Sequence, residues 1–115
     1  QAKYRAAMAA YDEARLEYEQ KVLEVFREAA DAVATYRHVR EAAALKGALC
    51  DAAREYVRLA HLQYRAGSIN YIDVLDAQRR YFDAQIGLSN AVRDEHLALV
   101  GLYKALGGGW QTGAE

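Results

Sequence analysis

The stretch Tyr64-Arg65-Ala66-Gly67-Ser68-Ile69-Asn70-Tyr71-Ile72-Asp73-Val74-Leu75-Asp76 decides the fold, because it holds the one strong turn signal between two long helical patterns. Gly67 suits the left-handed position just past a helix end, where a side chain would clash. Asn70 is a good N-cap for the next helix, with Asp73 at N3 to help satisfy the free N–H groups. Ile69 and Val74 then fall at N′ and N4, the spacing of a hydrophobic staple. The reading is a helix over about residues 2–66, a turn at 67–70 and a second helix over about 71–106. A connection this short sets the helices antiparallel. The expected fold is all-α, a long antiparallel coiled-coil hairpin.

On the N-terminal side, larger side chains recur at alternating steps of four and three: Tyr4, Met8, Tyr11, Tyr18, Val22, Val25, Ala29, Ala32, Tyr36, Val39 and Ala43, interrupted at Arg15. A 3.5-residue period held that long is a coiled-coil seam with a left-handed supercoil. Ala6, Ala10, Ala14, Ala30 and Ala34 lie beside it and would let a third helix approach. The phase then slips, and resumes as Leu45, Leu49, Ala52, Tyr56, Leu59 and Gln63. Gly47 lies at the slip, where a bend or a tight helix crossing is expected, since a mid-helix glycine costs about 1 kcal/mol relative to alanine.

The second helix carries Ile72, Leu75, Phe82, Ile86, Ser89, Val92, His96, Leu99, Tyr103 and Leu106 as its expected seam, and ends at Gly107-Gly108-Gly109. It is far shorter than the first. About the first 25 residues of the first helix therefore have nothing in this chain to lie against. An uncovered seam is unstable in water, so neighbouring helices, more of a parent protein or a fold-back at Gly47 must cover it.

Proline is absent from the 115 residues and apolar residues reach 53%, as an all-helical chain requires, while the net charge of −1 disfavours nucleic acid as a partner. The single cysteine, Cys50, excludes an internal disulfide and reads as a small half-buried helix residue. No stretch reaches the ~20 unbroken apolar residues of a spanning helix. The chain opens inside a helical pattern, at Gln1-Ala2-Lys3-Tyr4, without a basic apolar leader. That reads as a piece of a longer protein, cut at its N-terminal side.

Enzyme signatures are missing. There is no His-Glu-x-x-His, no Glu-x-x-His on a bundle helix, no Cys-x-x-Cys and no glycine-rich phosphate loop. His38, His61 and His96 are too widely spaced along rods to share a metal, and Asp12, Glu13, Glu17 and Glu19 read as a solvated face. No catalytic residue, metal or cofactor is expected.

Two blocks carry a resemblance. The run Gln63-Tyr64-Arg65-Ala66-Gly67 to Tyr71-Ile72-Asp73-Val74-Leu75-Asp76-Ala77-Gln78-Arg79, and then Leu102-Tyr103-Lys104-Ala105-Leu106-Gly107-Gly108-Gly109-Trp110, resemble the outer-membrane efflux channels of the TolC and OprM type. The OprM branch is the nearer. Val25-Phe26-Arg27-Glu28-Ala29-Ala30-Asp31-Ala32 agrees more loosely.

The resemblance implies a subunit of a homotrimeric channel, with strands in an outer-membrane barrel and long helices in a tunnel across the periplasm. This chain resembles the second periplasmic hairpin: residues 1–106 as tunnel helices, and 107–115 as a glycine-rich tail leading back to the equatorial region. The turn would be the periplasmic entrance. Tyr64, Asp76 and Arg79 match positions of the polar network that closes it. Asp73 matches a gate aspartate of the TolC branch, and Ile72 an apolar constriction residue of the OprM branch. Ala66, Gly67 and Ser68 match the motif to which the periplasmic adaptor (membrane fusion) protein docks, although the family residue at Ser68 is usually larger or β-branched. An inner-membrane pump would be the indirect partner, and drugs, metals or other small molecules the exported cargo.

Read from periodicity alone, Asp73 is a capping acid, Asp76 pairs with Arg79 or Arg80 along its own helix, and Tyr64 packs in the seam. Trp110 reads as pinning the tail. The alternative to a channel segment is a free-standing coiled-coil interaction module without a pore. A helical-bundle enzyme would need a bound metal or cofactor.

Overall fold

The computed structural model describes residues 1–107, and among them it contains two helices and no strand: α1 (Ala2–Arg65) and α2 (Tyr71–Gly107). Both boundaries fall within one residue of the expected ones. The chain divides into two compact units, Thr35–Val100 and a second that combines Gln1–Ala34 with the segment from Gly101 onward. The glycine-rich tail and Trp110 lie outside the described residues.

Within Thr35–Val100 the helices form an antiparallel hairpin. Arg54 meets Tyr81 and His61 meets Gln78, so partners nearer the turn on one helix are nearer the turn on the other. The buried and half-buried positions keep one period throughout. On α1 the series runs Tyr36, Val39, Ala43, Gly47, Cys50, Ala53, Val57 and Ala60. On α2 it runs Val74, Ala77, Tyr81, Ala84, Leu88, Ala91, Glu95 and Ala98, in alternating steps of three and four. Every second one from Ala77 on is alanine. A helix pair whose contact positions are this small can approach closely, because the side chains at the contact set the spacing.

Two expectations about the seam are therefore corrected. The phase does not slip after Ala43: the buried series continues through Cys50 and Ala53, while Leu45, Leu49, Tyr56 and Leu59 are exposed. On α2 the larger stripe of Ile72, Leu75, Phe82 and Ile86 is likewise exposed, and the alanine-rich stripe beside it is the one that packs. Cys50 is more deeply placed than its half-buried expectation, at 3% exposure. The physical reason is common to all three. Helix–helix contact selects positions that let the backbones approach, and most of the large apolar side chains here, Tyr36, Tyr81 and Leu88 excepted, lie outside that contact.

Gly47 marks neither a break nor a tight crossing. Helix α1 runs uninterrupted through it, which removes the fold-back. A Cβ added there would meet Leu88 Cδ1 at 3.9 Å, an ordinary contact distance.

In the other unit, residues 1–21 are exposed throughout, Tyr4, Met8, Tyr11 and Leu16 included. Cover begins at Val22 and Ala29, which line an open groove together with Ala105 and Leu106 of α2.

Candidate functional site at the hairpin tip

The turn is closed by backbone chemistry on both sides. Gly67 sits at φ +81°, its N–H donates to the Tyr64 carbonyl at 3.0 Å, and the Ser68 N–H donates to the Gln63 carbonyl at 2.9 Å. Those two bonds, with a left-handed glycine between them, make the Schellman ending of α1. Across the turn, the Asn70 N–H donates to Asp73 Oδ2 at 3.3 Å, and the Asp73 N–H donates to the Asn70 carbonyl at 3.1 Å. The reciprocal half of a capping box thus comes from Asp73. Its charge also lies in the first turn of α2, where the helix dipole favours an anion.

The staple forms as the spacing demands. Ile69 packs against a cluster of Ala60, Val74 and Ala77, which Val57 also joins. Val74 and Ala77 have no exposed surface. Fully burying one valine side chain stabilises by about 1.5–3 kcal/mol, more than any surface ion pair nearby. Buried apolar contact and two caps therefore hold the tip.

Ala66, Gly67 and Ser68 stand exposed at the turn. Ile72 is 71% exposed, one residue into the first turn of α2. Tyr64 is exposed too, and its ring lies 5.3 Å from that of Tyr71 at an interplanar angle of 57°, a tilted pair. Asp76 is half-buried, and its carboxylate is shared: Oδ1 accepts from Arg79 Nη2 at 3.3 Å, and Oδ2 lies 3.1 Å from Arg80 Nε.

Of the expected network the hairpin brings together Asp76 and Arg79. It does not bring Tyr64 to either of them, and Asp73 is engaged at Asn70. Arg80 takes one of the two Asp76 oxygens, as the pattern along one helix allows. Two further links join the helices. The Arg54 Nε–H donates to the Tyr81 hydroxyl at 3.1 Å, and Gln78 Nε2 lies 3.3 Å from His61 Nε2. Counting outward from the turn in antiparallel register would have found the first, while Gln78 lies one helical turn beyond the position opposite His61. The Tyr64–Tyr71 pair brackets the turn in the same way.

Among the described residues no group of His, Cys, Asp and Glu could hold a metal ion, and no helix is long and apolar enough to cross a membrane. The tip offers an ordered backbone, exposed small residues at the bend and a cluster of charge one turn behind it.

The chain belongs to the outer membrane efflux protein family, whose model matches residues 1–108. It is similar to OprJ, an outer membrane protein of Pseudomonas aeruginosa, with 37% identity over 107 residues, 93% of this chain and 22% of that protein. The solvent efflux pump outer membrane protein SrpC of Pseudomonas putida is 40% identical over 95 residues, 83% of this chain and 20% of its own length. The toluene efflux pump outer membrane protein TtgI, also of Pseudomonas putida, matches to the same extent. The chain thus spans about a fifth of the length of the curated relatives it matches. No solved structure matches it.

Proposed function

We propose that this chain is the second periplasmic helical hairpin of the outer-membrane channel of a tripartite efflux pump, and that its tip forms the entrance and gate of the tunnel. The observation that carries the reading is the hairpin itself: two long helices, capped at a preorganised turn, with a stripe of large apolar residues left on their outer face. Such a stripe needs cover by other helices. A homotrimer of channel subunits, with the helices side by side in a tunnel, supplies it.

In that setting the tip residues divide by role. Ala66, Gly67 and Ser68 are the contact for the hairpin of a periplasmic adaptor, which could approach the backbone where Gly67 has no side chain. Ile72 narrows the mouth. Asp73 and Asp76, repeated by symmetry, would make acidic rings that attract cations and repel anions. Arg79, whose side chain is 74% exposed, is placed to reach beyond its own helix, and Tyr64 completes the polar closure. Residues 1–106 are then tunnel, and 107–115 lead back to the equatorial region. The cargo is small molecules of the kind that the names of the relatives state, and an inner-membrane pump drives them. The segment is periplasmic, in a protein of the outer membrane. Catalysis has no part in it.

The test is Asp76→Ala in the full-length channel, measured as single-channel conductance in planar bilayers. Removing the carboxylate strands two arginines and favours the open mouth, so conductance or leak is expected to rise. Unchanged conductance counts against the gate assignment.

A further inference from the structure

Asp76 carries two arginines, and they are not held alike. Arg79 reaches Asp76 Oδ1 with Nη2, at the end of its side chain, at 3.3 Å. Arg80 Nε, nearer the stem, lies 3.1 Å from Asp76 Oδ2. Arg80 also lines an open groove of about 450 Å³ formed by both helices of the Thr35–Val100 hairpin, together with Leu49, Ala52, Ala53 and Tyr56 of α1. Arg79 does not line it. We infer that Arg80, a residue outside the expected closing network, is the resident counter-ion of Asp76 and so positions Arg79. With Asp76 already paired inside the hairpin, Arg79 is free to turn to an acceptor on a neighbouring helix. That consequence rests on the gate reading above; the pair itself belongs to the hairpin.

Packing and charge both favour this division. A long cationic side chain lays its methylenes along apolar surface and keeps its head in water. The stem of Arg80 has such a surface in the groove, while its head meets a carboxylate one turn back on its own helix, the spacing at which such pairs stabilise a helix. Arg79 stands about 100° round the helix from it. The charge argument concerns what is left when Arg79 departs. Asp76 is half-buried, and a partly covered carboxylate stripped of its partner costs free energy. If Arg79 were its sole partner, every contact of Arg79 with another helix would strand Asp76. With Arg80 in place, one cation stays on one carboxylate, and Arg79 leaves with its whole charge unspent. Asp83, three residues after Arg80 and on the same groove, is the competing partner.

The pair is read from arginine Nε–H resonances of the 115-residue chain, with the Arg80 signal assigned by its loss in Arg80→Lys. Both arginine heads are largely exposed, so the substitutions leave the fold intact. Asp76→Asn is expected to shift the Arg80 signal to that of a free arginine, and Arg79→Gln to leave it in place. A signal indifferent to Asp76→Asn, or one that follows Asp83→Asn instead, overturns the inference. The positioning role is read as single-channel conductance of the full-length channel. Arg80→Gln should raise it, because Arg79 is drawn back to Asp76. Arg80→Lys, which keeps charge and stem, should restore closure, and Arg80→Gln should add little to Arg79→Gln. Additive rises overturn the role, as does unchanged conductance in Arg80→Gln where Asp76→Ala opens the channel. A channel indifferent to Asp76→Ala defeats the gate reading and the role of Arg80 within it, while the resonance still decides the pair.

Discussion

The two faces of the hairpin between Thr35 and Val100 invert the usual relation between size and depth. The inner face is built largely from Ala43, Cys50, Ala53, Ala60, Ala77, Ala84, Ala91 and Ala98, with half-buried Tyr36, Val39, Val57, Tyr81 and Leu88 between them and one fully buried valine at the tip end. The outer face carries Leu45, Leu49, Tyr56, Leu59, Leu75, Phe82 and Ile86, all exposed. An isolated domain would do the opposite, since its stability rises with the apolar area it removes from water. The difference teaches that the small residues serve the hairpin and the large ones serve something beyond it. Residues are large where a second helical layer would need them and small where two backbones must meet.

Substitutions break or sharpen this contrast in a definite order. The largest effect is expected at Val74→Asp, which buries a carboxylate among Ala60, Ala77 and Ile69. It should cost about 3–5 kcal/mol, while Ile72→Asp, two residues away on the exposed face, should change stability by about 0.5 kcal/mol or less. Thermal or denaturant melts followed by circular dichroism compare the two. Equal effects would erase the distinction between the faces.

Next comes overpacking. Ala77→Leu should destabilise by about 1–3 kcal/mol, because the seam has no room for the longer side chain. The same change at exposed Ala52 should be nearly neutral. The glycines give a smaller pair with opposite signs, read by the same melts. Gly67→Ala forces a side chain into the left-handed region and should lose about 1 kcal/mol. Gly47→Ala has room for its methyl and should gain up to about 1 kcal/mol from helix propensity.

The weakest effect belongs to the outer face's ion pairs. Arg58 Nε donates to Glu55 Oε1 and Oε2 at 3.0 Å, and that hydrogen bonding holds the Glu55 carboxyl below its ordinary range. A folded value below the unfolded one stabilises above the unfolded value and is lost as pH falls through the folded one. Acidification should therefore narrow a small melting difference between the chain and its Glu55→Gln variant. The pair is exposed, so salt should narrow it too.

The tip is legible in the sequence because its chemistry is local. A left-handed glycine, an acid at N3 and an apolar pair at N′ and N4 each constrain only a few neighbouring residues. The helix ends accordingly fall within one residue of their expected places. The seam is legible only at Val22 and from Ala29 to Ala43; its earlier members Tyr4, Met8, Tyr11 and Tyr18 are exposed, and beyond Ala43 it misleads. Two stripes of apolar residues run side by side along each helix, and periodicity weighted by size follows the larger stripe. Only the partner helix decides which one packs, and that decision is tertiary. Tyr64 shows the same limit at one position. Its spacing suggests seam packing, yet its ring pairs with Tyr71 across the turn. The pairing of Asp76 with Arg79 and Arg80 is legible because all three share one helix.

The doubly tied bend has a consequence for recognition. Gln63, Tyr64, Asn70 and Asp73 fix the course of the main chain around Ala66, Gly67 and Ser68 before anything arrives. A visitor to that corner has little conformational entropy to remove. It meets a rigid, nearly featureless knuckle, so discrimination there would depend on shape, with few side-chain atoms to grip.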